Sequence, residues 1–214
     1  MQLIDQSYEI LKYPEDACLD IESIGRTCYK SEDKITGRRE DAEKFVKVLR
    51  DRGHHAMLEF GIMQVKFITN RGVTHELVRH RLCSFAQEST RYCNYGGKDM
   101  EFIKPVWLAQ KDIDAYFMEH DAITPIVAYQ FLSSLSESEM SYKYLLDNGW
   151  KPQQAREVLP NALKTEIVVQ ANLREWRHIF QLRCSSDAHP QIHALMLPLL
   201  HEMQEKIPAL FEDI

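Results

Sequence analysis

Residues 79–92, RHRLCSFAQESTRY, bring Arg79, His80, Arg81 and Arg91 together with Ser89 and Thr90. A guanidinium group is a planar fork of N–H donors that matches the oxygens of a phosphate, and hydroxyls and amides in a Ser/Thr-rich turn add donors to the same oxyanion. The stretch reads as an anion site. Its plainer reading is a solvated face on which the arginines pair with Glu76 and Glu88. On a helix, at about 100° per residue, Arg79 and Arg81 point roughly 200° apart and cannot clamp one phosphate from one face. Either the helix ends between them, or each serves a different ligand or a different subunit.

A second group lies in the C-terminal half: Arg156, Asn172, Arg174, His178 and Arg183. Arg174 and His178 are four apart and share a helix face, and Asn172 falls where strand gives way to helix, where free amides favour anions. A helix with a solvated face explains the same residues. His54, His55 and Glu59, or His189 and His193, invite a metal reading, but HxxxH without a third ligand at metal spacing is common by chance, and no metal is expected. The chain contains no G-x-G-x-x-G, no P-loop, no nucleophile elbow and no cysteine in a recognisable catalytic setting. Anion clamps without an attacking group point to chemistry carried by a cofactor.

These groups must be positioned by a chain of 214 residues, 44% hydrophobic, long enough to bury a substantial core and expected to form one domain over 1–214. With 26 basic against 32 acidic side chains and a net charge of -6, it is not built to coat nucleic acid, so an anion site must be local. Nine acids against three lysines between Asp99 and Asp147 sharpen the contrast with the basic stretch before them. Five cysteines without a CxxC pair suit a reducing compartment. The N-terminus lacks a basic region followed by an apolar core, and no run of eighteen apolar residues occurs, so a soluble, unprocessed, cytoplasmic protein without a membrane partner is expected.

Apolar spacing predicts helices over 15–26 and 42–49, joined by a solvated loop, with Gly53 as the closing cap of the second. GIMQVKFITN alternates and predicts a strand. RGVTHELVRHRLCS returns to helical spacing, with Val73, Leu77 and the region of His80 and Arg81 on one side. Residues 122–148 predict one long helix or two, KPQQAREVLP a turn, and LKTEIVVQAN a buried strand. LREWRHIFQLR and the segment carrying Ile192, Leu195, Met196, Leu199 and Met203 predict two closing helices. The order implies an α+β fold with a mixed or antiparallel sheet flanked by helices and more helix than strand.

The pattern RHR, seven residues, Ser, followed by TRY, resembles the signature of the flavin-dependent thymidylate synthases. GHHAMLEF resembles that family's upstream Gly-His segment ending in an acid, and AREVLPNALKTEIVVQANLREWRHIFQLR its C-terminal block, so that the resemblance covers roughly residues 50–205. It implies an enzyme that makes dTMP from dUMP with FAD, methylenetetrahydrofolate as carbon source and NADPH as reductant, in a homotetramer with shared active sites. It further implies that Arg79, His80, Arg81, Leu82, Gln87, Asn172, Arg174 and His178, with His54 and Glu59, line the flavin. Arg79, Ser89, the amide of Thr90, Arg91 and, from a neighbouring subunit, Arg156 would hold dUMP, and Arg183 would polarise a uracil carbonyl as the catalytic residue. His189 stands near a position where other members carry a histidine closer to that arginine. Two other functions compete: a non-catalytic nucleotide-binding relative, and a metal-dependent nucleotide phosphohydrolase built on the histidines.

Overall fold

The computed structural model describes residues 1–118 and 125–214. Over these, helix exceeds strand, 53% against 17%, and a small antiparallel sheet is flanked by helices, an α+β fold. Two compact units emerge, each discontinuous in sequence: one of Met1–Ser7, Ile68–Leu77 and Gln87–Ile167, the other of Tyr8–Phe67, Val78–Ala86 and Val168–Ile214.

In the first unit, β1 (Gln2–Ile4) pairs in parallel with β5 (Glu101–Ile103), opposing Leu3 to Phe102. The helices of this unit are α3 (Arg71–Leu77), α4 (Gln110–Phe117), α5 (Ile126–Asp147) and α6 (Pro152–Ala155). Its core gathers Tyr95, Met100 and Phe102 against Leu135 and Tyr142 of α5 and Leu163. The helix expected over 122–148 is a single helix from Ile126. Residues 122–124, and Glu119 and Asp121 of the acidic segment, lie outside the described residues. KPQQAREVLP is more ordered than a turn, because Pro152 at the first helical position opens α6 before a single 3-10 turn at Arg156–Val158.

The second unit holds most of a four-stranded sheet in the order β2 (Ser7–Lys12), β3 (Ile62–Asn70), β6 (Lys164–Asn172), β4 (Ser84–Gln87). The alternation read in β3 is real: Met63, Val65 and Phe67 are fully buried while Ile62, Gln64 and Lys66 are partly exposed. β6, expected to be a buried strand, alternates in the same way. On its more open face, Gln170 accepts a 2.5 Å hydrogen bond from Gln64. Such a face tolerates polar residues, which a doubly covered strand does not.

Around this sheet lie α1 (Ala17–Tyr29), α2 (Arg39–Asp51), α7 (Leu173–Arg183), α8 (Pro190–Lys206) and α9 (Pro208–Phe211). Gly53, with φ of +73°, ends the α2 segment in the left-handed conformation the sequence implied. The element that matters most for function is α7. Asn172 caps it by accepting from the Glu175 amide at 2.8 Å. Leu173, Trp176, Ile179 and Phe180 recur at helical spacing and are fully buried, with the Trp176 indole N–H donating to the Met63 carbonyl at 3.2 Å. The large indole anchors one face of the helix and fixes the direction of the other.

Candidate functional site

That other face of α7 lines a cleft of about 790 Å³ built within the second unit. Arg174, His178 and Arg183 reach it from α7, joined by Arg79, His80, Arg81 and Leu82 from the segment after α3. Glu59 and His55 close it from a short 3-10 stretch, His55–Phe60. The cleft also receives the N-terminus of α7 through Asn172, where the helix dipole favours an anion.

The helix expected to run through His80 stops at Leu77, before either arginine. Val73, Thr74 and Leu77 are buried, but the next positions at helical spacing are a histidine and an arginine, so no apolar contact extends the helix. The chain turns instead, with the Cys83 amide bonding back to the His80 carbonyl at 3.2 Å, and enters β4. The 200° divergence drawn from helix geometry therefore does not apply: Arg79 and Arg81 are both exposed and line the same cleft, and only His80 between them is buried.

His80 is the pivot of the site. Its Nε2 accepts from the Nε–H of Arg183 at 3.1 Å, and its Nδ1 lies 3.3 Å from a carboxylate oxygen of Glu175. Burial, helped by the positive charges of Arg183 and His178, pulls its pKa down to about 4, so the ring is neutral near pH 7. Burial pushes the Glu175 carboxyl up. At the mouth, Arg174 pairs with Glu59 at 2.7 Å where both are exposed, a contact worth little in water and easily exchanged for a ligand anion.

Nearby thiols are poor nucleophiles. Burial and the Glu175 charge push Cys83 up to about 12, and burial raises Cys184 to about 11, so neither is a thiolate at neutral pH. His80, Glu175 and His178 bring ligand atoms within 4.8 Å of one another, the one group among the described residues that could hold a metal. The Nε2 lone pair of His80 is already taken by Arg183, and a cation there would face the surrounding guanidiniums.

The other residues singled out in the sequence lie elsewhere. His54 does not line the cleft; its Nδ1 meets the Tyr29 hydroxyl at 2.7 Å, and His55 takes the place at the wall. Gln87 belongs to the first unit and donates to the hydroxyls of Thr74 and Thr165 at 3.0 and 3.3 Å. Ser89, Thr90 and Arg91 form a turn in the same unit: the Ser89 carbonyl accepts from Tyr92 and Cys93, and its Oγ accepts from the Arg91 amide at 3.3 Å. Glu88 is engaged by Tyr95 at 2.8 Å and by Lys164 at 3.5 Å rather than held for an arginine. Arg156 closes α6, 3.5 Å from Glu157. His189 caps α8, its Nδ1 accepting from Gln191.

Sequence reasoning passed over Glu175, Arg177, Gln181 and Leu182 as site residues. Asn172 followed three residues later by Glu175 has the spacing of a capping box, which assigns that acid a helix-end role and hides its link to His80. Arg177, though it borders the cleft, is committed to the C-terminus: it donates to the Leu210 carbonyl and grips Asp213 through two bonds of 2.7 Å. Leu82 and Leu182 expose 76% and 47% of their surface and give the wall an apolar patch beside the arginines. Cationic forks, a helix N-terminus and exposed leucines together fit a ligand with phosphates at one end and a flat, weakly polar ring at the other.

The second unit thus carries a cationic cleft with exposed leucines on its wall and protonated thiols beside it. The family described as thymidylate synthase complementing protein matches residues 9–209, and the chain belongs to it. Among relatives, a flavin-dependent thymidylate synthase of Corynebacterium efficiens is 34% identical over 197 residues, covering 90% of this chain and 78% of that protein. One from Geobacter sulfurreducens is 29% identical over 215 residues, covering 95% and 84%. One from Mycobacterium tuberculosis is 32% identical over 197 residues, covering 90% and 78%.

Proposed function

We propose that the chain is a flavin-dependent thymidylate synthase acting as one domain over residues 1–214, converting dUMP to dTMP with methylenetetrahydrofolate as carbon donor and NADPH as reductant. The observation that carries this reading is the cleft in which Arg79, His80, Arg81, Asn172, Arg174, His178 and Arg183 meet, in a chain matched over 9–209 by the family. The net reaction replaces the hydrogen on carbon 5 of uracil by a methyl group: a methylene unit leaves folate, a hydride equivalent originating on NADPH reduces it, and the carbon 5 proton departs. When bound, FAD supplies the route for the hydride and the transfer of the one-carbon unit.

Arg79, Arg81 and Arg174 would hold the phosphates of the cofactor, and Leu82 and Leu182 would shield its ring system from water. Glu59, His55 and the exposed ring of His178 border the same cleft. On the substrate side, the family's sequence pattern assigns Arg79, Ser89, the Thr90 amide and Arg91 to dUMP, with Arg156 from a neighbouring subunit of a homotetramer. Arg183 faces a uracil carbonyl and stabilises the negative charge that builds on the ring as carbon 5 becomes nucleophilic. No protein nucleophile is required, in keeping with the raised thiols of Cys83 and Cys184. His54 and Gln87, which lie outside the cleft, are assigned to the flavin through the family's sequence pattern alone, and the enzyme works in the cytoplasm.

Titration of the purified protein with FAD, followed by flavin absorption and fluorescence quenching, tests the cofactor half of this account. Saturable binding with one flavin per chain supports it, and a protein that takes up no flavin overturns it.

A further inference from the structure

The geometry points to Glu175 as a positioning residue that, through the ring of His80, aims the guanidinium of Arg183 into the cleft. Three observations carry this. The Nε–H of Arg183 can only donate, so the Nε2 it meets at 3.1 Å must be bare. A neutral imidazole with a bare Nε2 carries its proton on Nδ1, and that nitrogen lies 3.3 Å from Glu175 Oε1. Glu175 and His80 are 6% and 5% exposed, so water does not compete for either contact.

Without the carboxylate beside Nδ1, the buried ring gains nothing electrostatically from holding its proton there. It flips or changes tautomer, presenting Nε2–H to the Nε–H of Arg183, and two donors repel. Arg183, partly exposed at the end of α7, then loses the contact that fixes its Nε. The carboxylate thus acts two contacts away from the group it serves, as second partners of ligating histidines do elsewhere. Glu175 itself faces His80, His178, Arg174 and Cys83. The consequence for turnover rests on the role proposed for Arg183; the tautomer does not.

The test uses the flavin-loaded enzyme with ¹⁵N-labelled histidine rings, His80 being assigned by its loss in His80→Gln. In the wild type, His80 shows a single Nδ1–H tautomer, and Glu175→Leu converts it to Nε2–H or a mixture. Glu175→Leu lowers kcat about 30-fold while KM for dUMP and flavin content stay within about threefold, as expected for misorientation of a transition-state contact. Glu175→Gln, whose amide oxygen places a partial negative charge beside Nδ1–H, recovers most of the rate. In an Arg183→Ala background, Glu175→Leu costs nothing further. If the leucine variant does not fold, Glu175→Ala takes its place in every arm. An unchanged tautomer, a wild-type kcat in the leucine or alanine variant, or an additive loss with Arg183→Ala overturns the inference. Full turnover by Arg183→Ala would instead refute the role proposed for that arginine, and the ring spectrum would still decide the Glu175 contact.

Discussion

The Nε–H of Arg183 donates to the Nε2 of His80 at 3.1 Å, joining the last turn of α7 to the segment between α3 and β4. An arginine held through Nε has one edge of its guanidinium fixed in place by the protein. That is the arrangement expected of a side chain meant to meet charge that appears during a reaction.

Replacing that arginine separates binding from chemistry. Arg183→Ala should keep the flavin and the assembly of the wild type while kcat falls by about 10²–10³, the usual cost of one preorganised donor to a developing oxyanion. Flavin absorbance, size-exclusion chromatography and steady-state rates measured on one preparation check this. Loss of flavin or of assembly would make the residue structural.

The stability of the protein should fall with acidification in two separable ranges. His80, depressed to about 4 in the native state from an ordinary 6.5, stays neutral while the unfolded chain takes up a proton, so its contribution is complete above pH 6.5 and is lost as the pH falls toward 4. Asp213, held below its ordinary 3.8 by hydrogen bonding to Arg177, contributes above that value and is lost below it. Glu175, raised by burial, works with the opposite sign above 4.5, so the wild type must be compared with variants. Urea unfolding as a function of pH should show His80→Gln flattening the upper range and Asp213→Asn the lower.

Gly61 sits where the chain enters β3, and its carbonyl accepts from the Leu173 amide at 2.9 Å at the start of α7. A Cβ there would strike Leu173, meeting its Cγ at 2.9 Å. Gly61→Ala should destabilise by about 1–3 kcal/mol through overpacking of a filled site. Leu173→Ala, costly by itself, should make the alanine at 61 tolerable, so denaturant unfolding of the double variant should show less than the summed loss.

Chelation distinguishes the present account from hydrolysis at the His80, Glu175 and His178 cluster. Activity should be unchanged after extended treatment with EDTA, and added zinc should not raise it. An enzyme silenced by chelator and restored by a divalent ion would make the cluster a metal centre.

What could be read in the sequence follows from how strongly each segment is periodic. β3, with strict alternation over nine residues, and α7, with Leu173, Trp176, Ile179 and Phe180 on one stripe, were legible almost to their ends. β1, β4 and β5, three or four residues each, were not, because so short a run has no period and is stabilised by its neighbours in the sheet. The basic residues of the cleft were legible as chemistry through Arg79, Arg81, Arg174 and Arg183. Their common orientation was not, since it depends on α3 ending at Leu77. Glu175 was hidden because its spacing from Asn172 satisfies a local rule, while its partner His80 is far away in the chain.

The most direct measurement follows the hydrogen that the methyl group must displace. With FAD, NADPH and methylenetetrahydrofolate present, dUMP tritiated at carbon 5 should release its label to water in step with dTMP formation, and omission of folate should stop the formation of dTMP. A folded, flavin-loaded protein that releases no tritium and forms no dTMP would contradict the assignment.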